Sequence, residues 1–448
     1  MATLDSSIVN IALPTLTKEL HADLYQVKWV VIVYLLAITC VLLPFGRLSD
    51  IYGRKRVMLS GFLVFIISSI LCGGAPTLVS LVMARLLQGI GAAMLMANGP
   101  AIITATFPTG ERGKALGILA MVVSSGLISG PSVGGALISS FDWRAIFFIN
   151  IPIGMLGVFL AKKYLGKDPA PKSRATFDWT GAVLQLLFIL TFTVIMEPPA
   201  ISIAGSAPLP LARWLLATVC LLFGYLFYRF EQQAKSPLVD FSLFRIRSFW
   251  MANLGAFFTF VSFSAVFVLT PFFMEEVLRF TPDRAGLLMT AVPLTILVVA
   301  PVSGRLSDRL GTSGLCSFGA LIAALTLFWM AGATGFGYEP NISLVAMTTS
   351  LSLIGLSSGL FQSPNNSAIM EDVPFAKLSV ASALLATFRN LGLVTGTGLS
   401  ASLFAWRFEQ TGDYTSSIHL AFLVAGAVSL ASMVISLGRG RKTRGRQR

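Results

Sequence analysis

Residues 46–50 read Gly-Arg-Leu-Ser-Asp, and residues 304–308 repeat the same five residues in the same order. Each copy follows a long apolar run, and each continues to a further glycine, Gly53 or Gly311. The first copy then ends on a basic run at 54–56, which the second copy lacks. An identical pentapeptide in the same context predicts two related halves, each with a charged link at the same place.

The composition of the chain is that of a membrane protein. Of its 448 residues, 55% are apolar and 12% are charged, about half the charged share of an average soluble protein. The 40 glycines suit helices that pack closely in lipid, because small residues let two backbones approach. The sequence therefore predicts an all-α polytopic membrane protein.

The net charge of +13 would suggest a nucleic-acid partner if the chain were soluble. Here, six of the 33 Lys and Arg residues lie in the last ten residues, Arg439 to Arg448, and many others lie in short links. Basic residues next to a membrane are attracted to anionic lipid head groups. We therefore interpret the charge as contact with the lipid bilayer and predict no nucleic-acid partner.

Residues that commonly hold metals or cofactors are few and far apart. The four cysteines lie in apolar runs, and neither they nor the two histidines have the spacing of metal ligands. The ATP-binding sequence Gly-x-x-x-x-Gly-Lys-Ser/Thr does not occur. We predict no metal, no cofactor and no enzymatic activity, and we expect any transport to be driven by an ion gradient.

Apolar runs long enough to cross a membrane, about 20 residues each, predict the architecture. Fourteen runs give two sets of six helices with an inserted pair between them, and a charged link follows the second helix of each set. The predicted helices are 2–16, 29–45, 57–73, 78–98, 115–139, 144–164, 179–196, 211–228, 250–274, 284–302, 313–333, 342–363, 378–403 and 417–437.

These runs divide the chain into four parts. We predict an N-terminal six-helix half at 1–164, the inserted helices 7 and 8 with their links at 165–249, a second six-helix half at 250–437, and a basic tail at 438–448. Only about fifteen residues precede Lys18, fewer than a membrane helix needs, so we expect the first helix to be incomplete at its start.

The distribution of basic residues predicts the orientation. With these boundaries, 24 of the 33 Lys and Arg residues lie in the tail and on the side of the two charged links, against 7 on the opposite side. The remaining two, Arg85 and Arg389, lie within helices. Because cytoplasmic loops are enriched in Lys and Arg, we predict that both links and both termini are cytoplasmic.

The first charged link carries groups that suit a conformational switch. Gly46 and Gly53 permit turns that other residues resist. Asp50 can accept hydrogen bonds from the amides at a helix start, or pair with Arg54. Such contacts could form in one conformation and break in another. The alternative is that these charges only set the topology.

The second copy of the link contains Gly304 and Asp308 but lacks the basic run of the first. We therefore expect both copies to act as hinges, with the first contributing more.

Asp5 lies inside the first apolar run, in the sequence Leu-Asp-Ser-Ser-Ile-Val-Asn at 4–10. An unpaired carboxylate in hydrocarbon is costly, so we expect its side chain to face a cavity and to act as a proton carrier. The alternative is a structural acid that is hydrogen-bonded to the neighbouring Ser or Asn side chains.

Two arginines lie within predicted helices. Arg85, in Arg-Leu-Leu-Gln-Gly-Ile-Gly at 85–91, must find an acid, carbonyl groups or water, because a guanidinium stays charged. The sequence does not show whether its partner is Asp5. Arg389, in the thirteenth helix, fits a packing role and a role in a cavity equally well.

The predicted fifth helix contains Gly-Leu-Ile-Ser-Gly-Pro-Ser-Val-Gly-Gly at 126–135. Glycines at every fourth position form a smooth face for close helix contact. Proline removes a backbone donor and kinks a helix. The pattern predicts a bendable seam between the halves, although small-residue packing alone would also explain the glycines. The residues of this stretch that we single out are Gly126, Gly130, Pro131, Gly134 and Gly135.

Together these stretches resemble the major facilitator superfamily, and within it the fourteen-helix drug:proton antiporters of the EmrB/QacA type. Residues 46–56 resemble the superfamily's motif A, with Ile51 in place of a basic residue. Residues 4–14 resemble the first-helix motif of the antiporters, 85–89 resemble motif B, and 126–135 resemble the antiporter motif. The resemblance covers essentially the whole chain.

The resemblance implies a major facilitator fold that works by alternating access, with proton coupling at Asp5 and Arg85. It also bears on the substrate, because some relatives that export cations carry an extra acid in the tenth helix. Here that helix has none after Arg284, and Glu275, near the end of the ninth helix, replaces a family glutamine. We place Glu275 among the residues of a possible cavity, and we expect an amphipathic or hydrophobic substrate.

The prediction is therefore a proton-coupled multidrug efflux transporter of the plasma or inner membrane, with small molecules and protons as its ligands. One alternative is a dedicated exporter of an endogenous metabolite or lipid precursor, and a remote one is a membrane sensor that transports nothing. The sequence does not indicate whether an envelope adaptor protein takes part.

Overall fold

The computed structural model of the chain describes residues 1–106, 108, 112–166, 177–196, 210–234, 237–335, 344–371, 373 and 378–439. These residues form α-helices, one 3₁₀-helix at Phe241–Arg245 and one π-helical turn at Phe273–Val277, with no strand among them. The helices are α1 (Ala2–Glu19), α2 (Leu24–Val27), α3 (Trp29–Tyr52), α4 (Arg54–Gly73), α5 (Leu78–Thr106), α6 (Arg112–Ser140), α7 (Ala145–Phe148), α8 (Asn150–Tyr164), α9 (Trp179–Met196), α10 (Pro210–Gln233), α11 (Arg247–Phe272), α12 (Pro282–Met289), α13 (Ala291–Leu310), α14 (Thr312–Gly335), α15 (Leu344–Glu371), α16 (Leu378–Thr411) and α17 (Tyr414–Leu437).

The helices group into fourteen segments at the predicted positions, because α2 leads into α3, α7 into α8 and α12 into α13. Within the described residues, ten segments are long and apolar enough to cross a membrane. The other four are α1, α6, α9 and α16. The all-helical architecture is thus confirmed, and fourteen membrane crossings remain a prediction.

Both charged links prove to be mostly helical. The third helix continues through the first link to Tyr52, and α13 continues through the second to Leu310. The helices end where Gly53 and Gly311 adopt φ values of +106° and +86°, a region that side chains with a Cβ atom rarely enter.

The prediction of a turn at Gly46 is wrong. Gly46 lies inside α3, and Gly304 lies at the same place inside α13. The apolar run ends at the first charged residue, but the backbone stays helical for two further turns because its hydrogen bonds do not depend on lipid. A Cβ atom on Gly46 would meet no atom within 4 Å.

The two halves repeat the same packing. In the first half α1 packs on α6, α3 and α4 pack on α5, and α4 packs on α8. In the second half α11 packs on α16, α13 and α14 pack on α15, and α14 packs on α17. Each pairing joins helices at corresponding places in the two sets of six, as expected for a duplicated chain.

The inserted helices α9 and α10 pack on each other, and α9 also contacts α3 and α16. The pair therefore lies against one helix from each half.

We call the end of the bundle that holds the two charged links the link end, and the opposite end the far end. Polar caps begin helices at the far end, where Asp23 accepts from the amide of Gln26 at 2.7 Å in a capping box, and Asp413 accepts from the amide of Ser416 at 2.9 Å. Such caps satisfy amides that have no partner within the helix.

Candidate functional site

Asp5 lies on α1 at the centre of a buried polar cluster in the first half, and its side chain is fully buried. Its Oδ2 atom is 2.5 Å from Nη1 of Arg85 on α5. Its Oδ1 atom accepts hydrogen bonds from Nε2 of Gln88 at 3.0 Å and from Nδ2 of Asn150 at 2.8 Å. Three helices that are far apart in sequence thus meet at one carboxylate.

Arg85 has neutral partners in addition to Asp5. Its Nε donates to the carbonyl oxygen of Val30 at 3.0 Å, and its Nη1 donates to Oε1 of Gln88 at 2.5 Å. Its guanidinium carbon lies 3.9 Å from the centroid of the Tyr34 ring, in cation–π geometry. A buried guanidinium needs hydrogen-bond acceptors or an aromatic ring around it, because it cannot lose its charge.

Gln88 connects the ion pair to the rest of the half. It stands three residues after Arg85, so both side chains leave the same face of α5. Its Nε2 also donates to the hydroxyl of Ser69 on α4 at 2.9 Å. The cluster therefore spans α1, α4, α5 and α8.

Sequence reasoning singled out Asp5 and Arg85 and missed Gln88, Asn150, Ser69 and Tyr34. Asn150 gave a signal, since an amide between apolar residues of a membrane helix is costly without a partner. Tyr34 gave none. Its hydroxyl donates to the carbonyl oxygen of Ala2 at 2.9 Å and so fixes the beginning of α1.

The predicted small-residue face of α6 packs against α1. A Cβ atom on Gly126 would lie 2.7 Å from Oγ1 of Thr3, one on Gly130 would overlap Ser7, and one on Gly134 would lie 2.7 Å from Ile8. These glycines therefore allow the backbone of α6 to approach the helix that carries Asp5.

A second face of α6 meets the other half of the molecule. A Cβ atom on Gly135 would lie 3.0 Å from the Cα atom of Asp283, and one on Gly286 of α12 would overlap the carbonyl of Pro131. The hydroxyls of Ser132 and Thr290 also form a hydrogen bond across this contact. A single helix thus contacts both the Asp5 helix and the opposite half.

Further polar contacts join the halves at the far end. Lys18 of α1 lies 2.7 Å from Glu276 in an ion pair, and the fully buried Lys28 donates to the hydroxyl of Ser402 at 2.8 Å.

At the link end, Asp50 pairs with Arg54 at 2.9 Å, on side chains that are 46% and 32% exposed. The two residues are four apart in the sequence, and the helix break at Gly53 lies between them. The ion pair therefore connects α3 with α4.

The remaining predicted residues lie away from the Asp5 cluster. Arg389 is half-buried on α16, and Gly304 lies inside α13. Glu275 is buried on the π-helical turn at the far end, where its Oε1 has no hydrogen-bond partner among the described residues. The side chain of Asp308 and the tail after Arg439 lie outside the described residues. The structure therefore brings Asp5 and Arg85 together and leaves the others apart.

No group of three or more His, Cys, Asp or Glu side chains in the described part of the chain could hold a metal ion.

Comparison with known proteins identifies the family. The model of the Major Facilitator Superfamily matches residues 1–397 and 254–448. The riboflavin transporter RibZ of Clostridioides difficile is 35% identical over 450 residues, which cover 99% of this chain and 95% of that protein. The multidrug resistance protein Stp of Mycobacterium tuberculosis is 31% identical over 416 residues, 90% of this chain and 74% of that protein.

Among solved structures, a D-xylose-proton symporter superposes with a TM-score of 0.70, covering 99% of this chain and 98% of that one. At 14% sequence identity this likeness shows the fold alone. The resemblance inferred from the motifs is confirmed: the chain belongs to the major facilitator superfamily and is a multi-pass membrane transporter of small molecules, not an enzyme.

Proposed function

We propose that this transporter exports small amphipathic or hydrophobic compounds in exchange for protons, by alternating access. The observation that carries the proposal is the fully buried Asp5 carboxylate, held 2.5 Å from Arg85 inside the first half. A carboxylate in a low-dielectric interior can exchange a proton, and the change in its charge alters the contacts around it.

The partners of Arg85 allow the cluster to exist in two charge states. When Asp5 takes up a proton, Arg85 loses its counter-charge but keeps the Val30 carbonyl, the Gln88 amide oxygen and the Tyr34 ring. Removing one member of a buried ion pair otherwise costs about 3–5 kcal/mol, because the other charge is left without compensation. These neutral partners lower that cost, so protonation can loosen α1 without unfolding the cluster.

The proton-dependent change at Asp5 reaches the second half through α6. The helix that carries Asp5 rests on the glycine face at Gly126, Gly130 and Gly134, and the opposite face of α6 touches α12 at Gly135 and Pro131. A shift of α1 relative to α6 therefore changes the contact between the halves. Protonation from outside favours the state that opens to the cytoplasm, and proton release to the cytoplasm favours reloading.

The orientation follows from the basic residues. We place the two charged links and both termini in the cytoplasm of a cell bounded by the plasma or inner membrane. Four polar contacts between the halves in the described part of the chain lie toward the far end: Lys18–Glu276, Lys28–Ser402, Ser132–Thr290 and Ser139–Asp283. In this orientation they close the outer side, as in an inward-facing state.

The test is transport into proteoliposomes with an acidic lumen, measured with a panel of unrelated dyes and drugs. The wild-type chain is expected to accumulate several of them in the lumen, and Asp5→Asn to lose this accumulation while still binding the same compounds. Glu19→Gln is the matched control, because Glu19 lies exposed on the same helix. Full accumulation by Asp5→Asn would refute the role of Asp5.

A second candidate is a transporter dedicated to one metabolite. The observation that favours it is the 35% identity to a riboflavin transporter over 99% of this chain. Riboflavin therefore belongs in the panel. Transport of riboflavin or one related compound, with no dye moved, would support the dedicated transporter over the multidrug exporter.

A further inference from the structure

Besides Glu275 at the far end, a buried carboxylate lies outside the Asp5 cluster at the link end of the inserted helices. Glu231, near the end of α10, is 3% exposed. Its Oε2 accepts from the backbone amide of Val239 at 3.3 Å, and its Oε1 has no hydrogen-bond partner among the described residues. An unpaired anionic oxygen in this position would be costly, because burial removes its hydration.

The free oxygen of Glu231 faces a second carboxylate. Asp178 precedes α9, where its Oδ1 accepts from the amide of Gly181 at 2.8 Å. A Cβ atom on Gly181 would lie 2.5 Å from Oδ2 of Asp178 and 2.8 Å from Oε1 of Glu231. These two oxygens are therefore no more than 5.3 Å apart, the sum of those distances. Glycine leaves the space between them open.

In the described part of the chain, no Lys or Arg forms an ion pair with Glu231 or Asp178. No basic side chain there compensates the charge of this pair. From α9 the titratable group that faces Glu231 is Asp178, and from the segment before α11 the facing groups are the backbone amides of Leu238 and Val239. Like charges at short distance repel, so a proton bound to one of the two carboxylates lowers the electrostatic cost of holding them together.

The pair lies beside a joint between the halves. Leu238, Val239 and Leu243, in the segment that leads into α11, belong to one apolar cluster with Leu43 of α3 and Leu384 of α16. Glu231 holds this segment through the amide of Val239. A change in the charge of Glu231 would therefore act on residues that contact both halves.

We propose that Glu231 and Asp178 bind one proton between them, and that this proton holds the segment before α11 against the inserted helices. A metal ion fits less well, since two carboxylates supply fewer ligands than Mg²⁺ or Ca²⁺ takes. A proton needs no coordination shell. The inserted pair thus carries a proton site that faces the link end and is separate from Asp5.

The test uses infrared difference spectra of the purified full chain between acidic and alkaline pH. The parent is the double variant Asp5→Asn with Glu275→Gln, so that the other two buried carboxylates described above contribute nothing. The parent is expected to show the carbonyl band of a buried carboxylic acid, and adding Glu231→Gln is expected to remove it. Glu409→Gln, on an exposed side chain of α16, is the control and should keep the band. An unchanged band in the Glu231→Gln protein overturns the proposal.

Two further measurements keep the proposal falsifiable. Thermal stability of the parent should fall as pH rises and the proton leaves, and Glu231→Gln should remove that fall, because an amide keeps the shape without the charge. If Glu231→Gln does not fold, Asp178→Asn decides the question, since proton sharing predicts a shifted acid band and an unshifted band contradicts it. Loss of the band on adding Na⁺ or Mg²⁺ at constant pH would assign the pair to a metal cation and overturn the proton site.

Discussion

The two charged links share their backbone and differ in their charges. In the first, the amide of Gly53 donates to the carbonyl of Ser49 at 3.0 Å, and in the second, the amide of Gly311 donates to the carbonyl of Ser307 at 2.9 Å. Both glycines have positive φ. The shared pentapeptide therefore encodes a helix that ends at a glycine, and this geometry does not need the basic run.

The residues after each glycine show what the charges add. Lys55 of the first link donates to the carbonyl oxygens of Lys162 and Leu165 at 3.2 and 2.5 Å, at the end of α8. Ser313 stands at the same place in the second link and donates to the carbonyl of Ser436 at 2.5 Å, near the end of α17. Both links thus cap the last helix of their own half, one with a cation and one with a hydroxyl.

The largest loss of stability is expected from changing the glycine that ends the helix in each link. Gly53→Ala and Gly311→Ala should each lower the free energy of unfolding by about 1–3 kcal/mol, because a Cβ atom is strained at these φ values. Thermal midpoints in detergent measure the loss. Gly314→Ala is the control, since Gly314 is helical with open space around it. A loss at only one link would show that the shared backbone geometry is not equally required.

A smaller effect is expected at the caps. Lys55→Met and Ser313→Ala each remove hydrogen bonds to the end of a helix, for a loss of about 1 kcal/mol each. The helix dipole favours a cation at this position, so Lys55→Met should cost more, and only its cost should shrink in high salt. Lys163→Met, which changes an exposed lysine nearby on α8, controls for the loss of charge. Equal salt dependence of both cap variants would contradict this distinction.

The smallest effect on stability is expected from exchanging the residues that follow the two glycines. Arg54→Thr removes the partly exposed pair with Asp50, and Thr312→Arg places an arginine four residues after Asp308. Each change should alter the free energy of unfolding by at most about 0.5 kcal/mol, because water screens exposed ion pairs.

Transport rates separate the two exchanges more clearly than stability does. If the Asp50–Arg54 pair breaks and re-forms in each cycle, Arg54→Thr lowers turnover with little change in substrate affinity, and Thr312→Arg leaves turnover unchanged. Unchanged turnover in Arg54→Thr would leave the first link with a topological role only.

The helices could be predicted because membrane crossing demands long apolar runs, and hydropathy measures those directly. Their ends could not, since Gly46 to Tyr52 are charged and polar in part but remain helical beyond the apolar run. Gly53 ends the helix, as predicted, whereas Gly46, which was also predicted to form a turn, is helical. The sequence alone does not show which of two glycines ends a helix.

The candidate site shows a similar limit. Asp5 and Arg85 could be singled out because charge inside an apolar run is costly on its own. Their pairing depends on how α1 and α5 lie together, which is a tertiary property. Gln88 and Asn150 are neutral, so even the amide of Asn150 in its apolar run indicates only that a partner is needed. The structure shows that this partner is the carboxylate that Gln88 also contacts.

The glycine faces of α6 have a consequence for the rate of conformational change. Side chains that interlock must leave their rotamers before two helices can move past each other, and that need raises the barrier. Along Gly126, Gly130 and Gly134, no side chain of α6 stands between its backbone and α1, and at Gly135 and Gly286 the backbones of α6 and α12 touch. Such smooth surfaces let helices slide by shear. Helix α6 thus combines close contact with a low barrier to sliding.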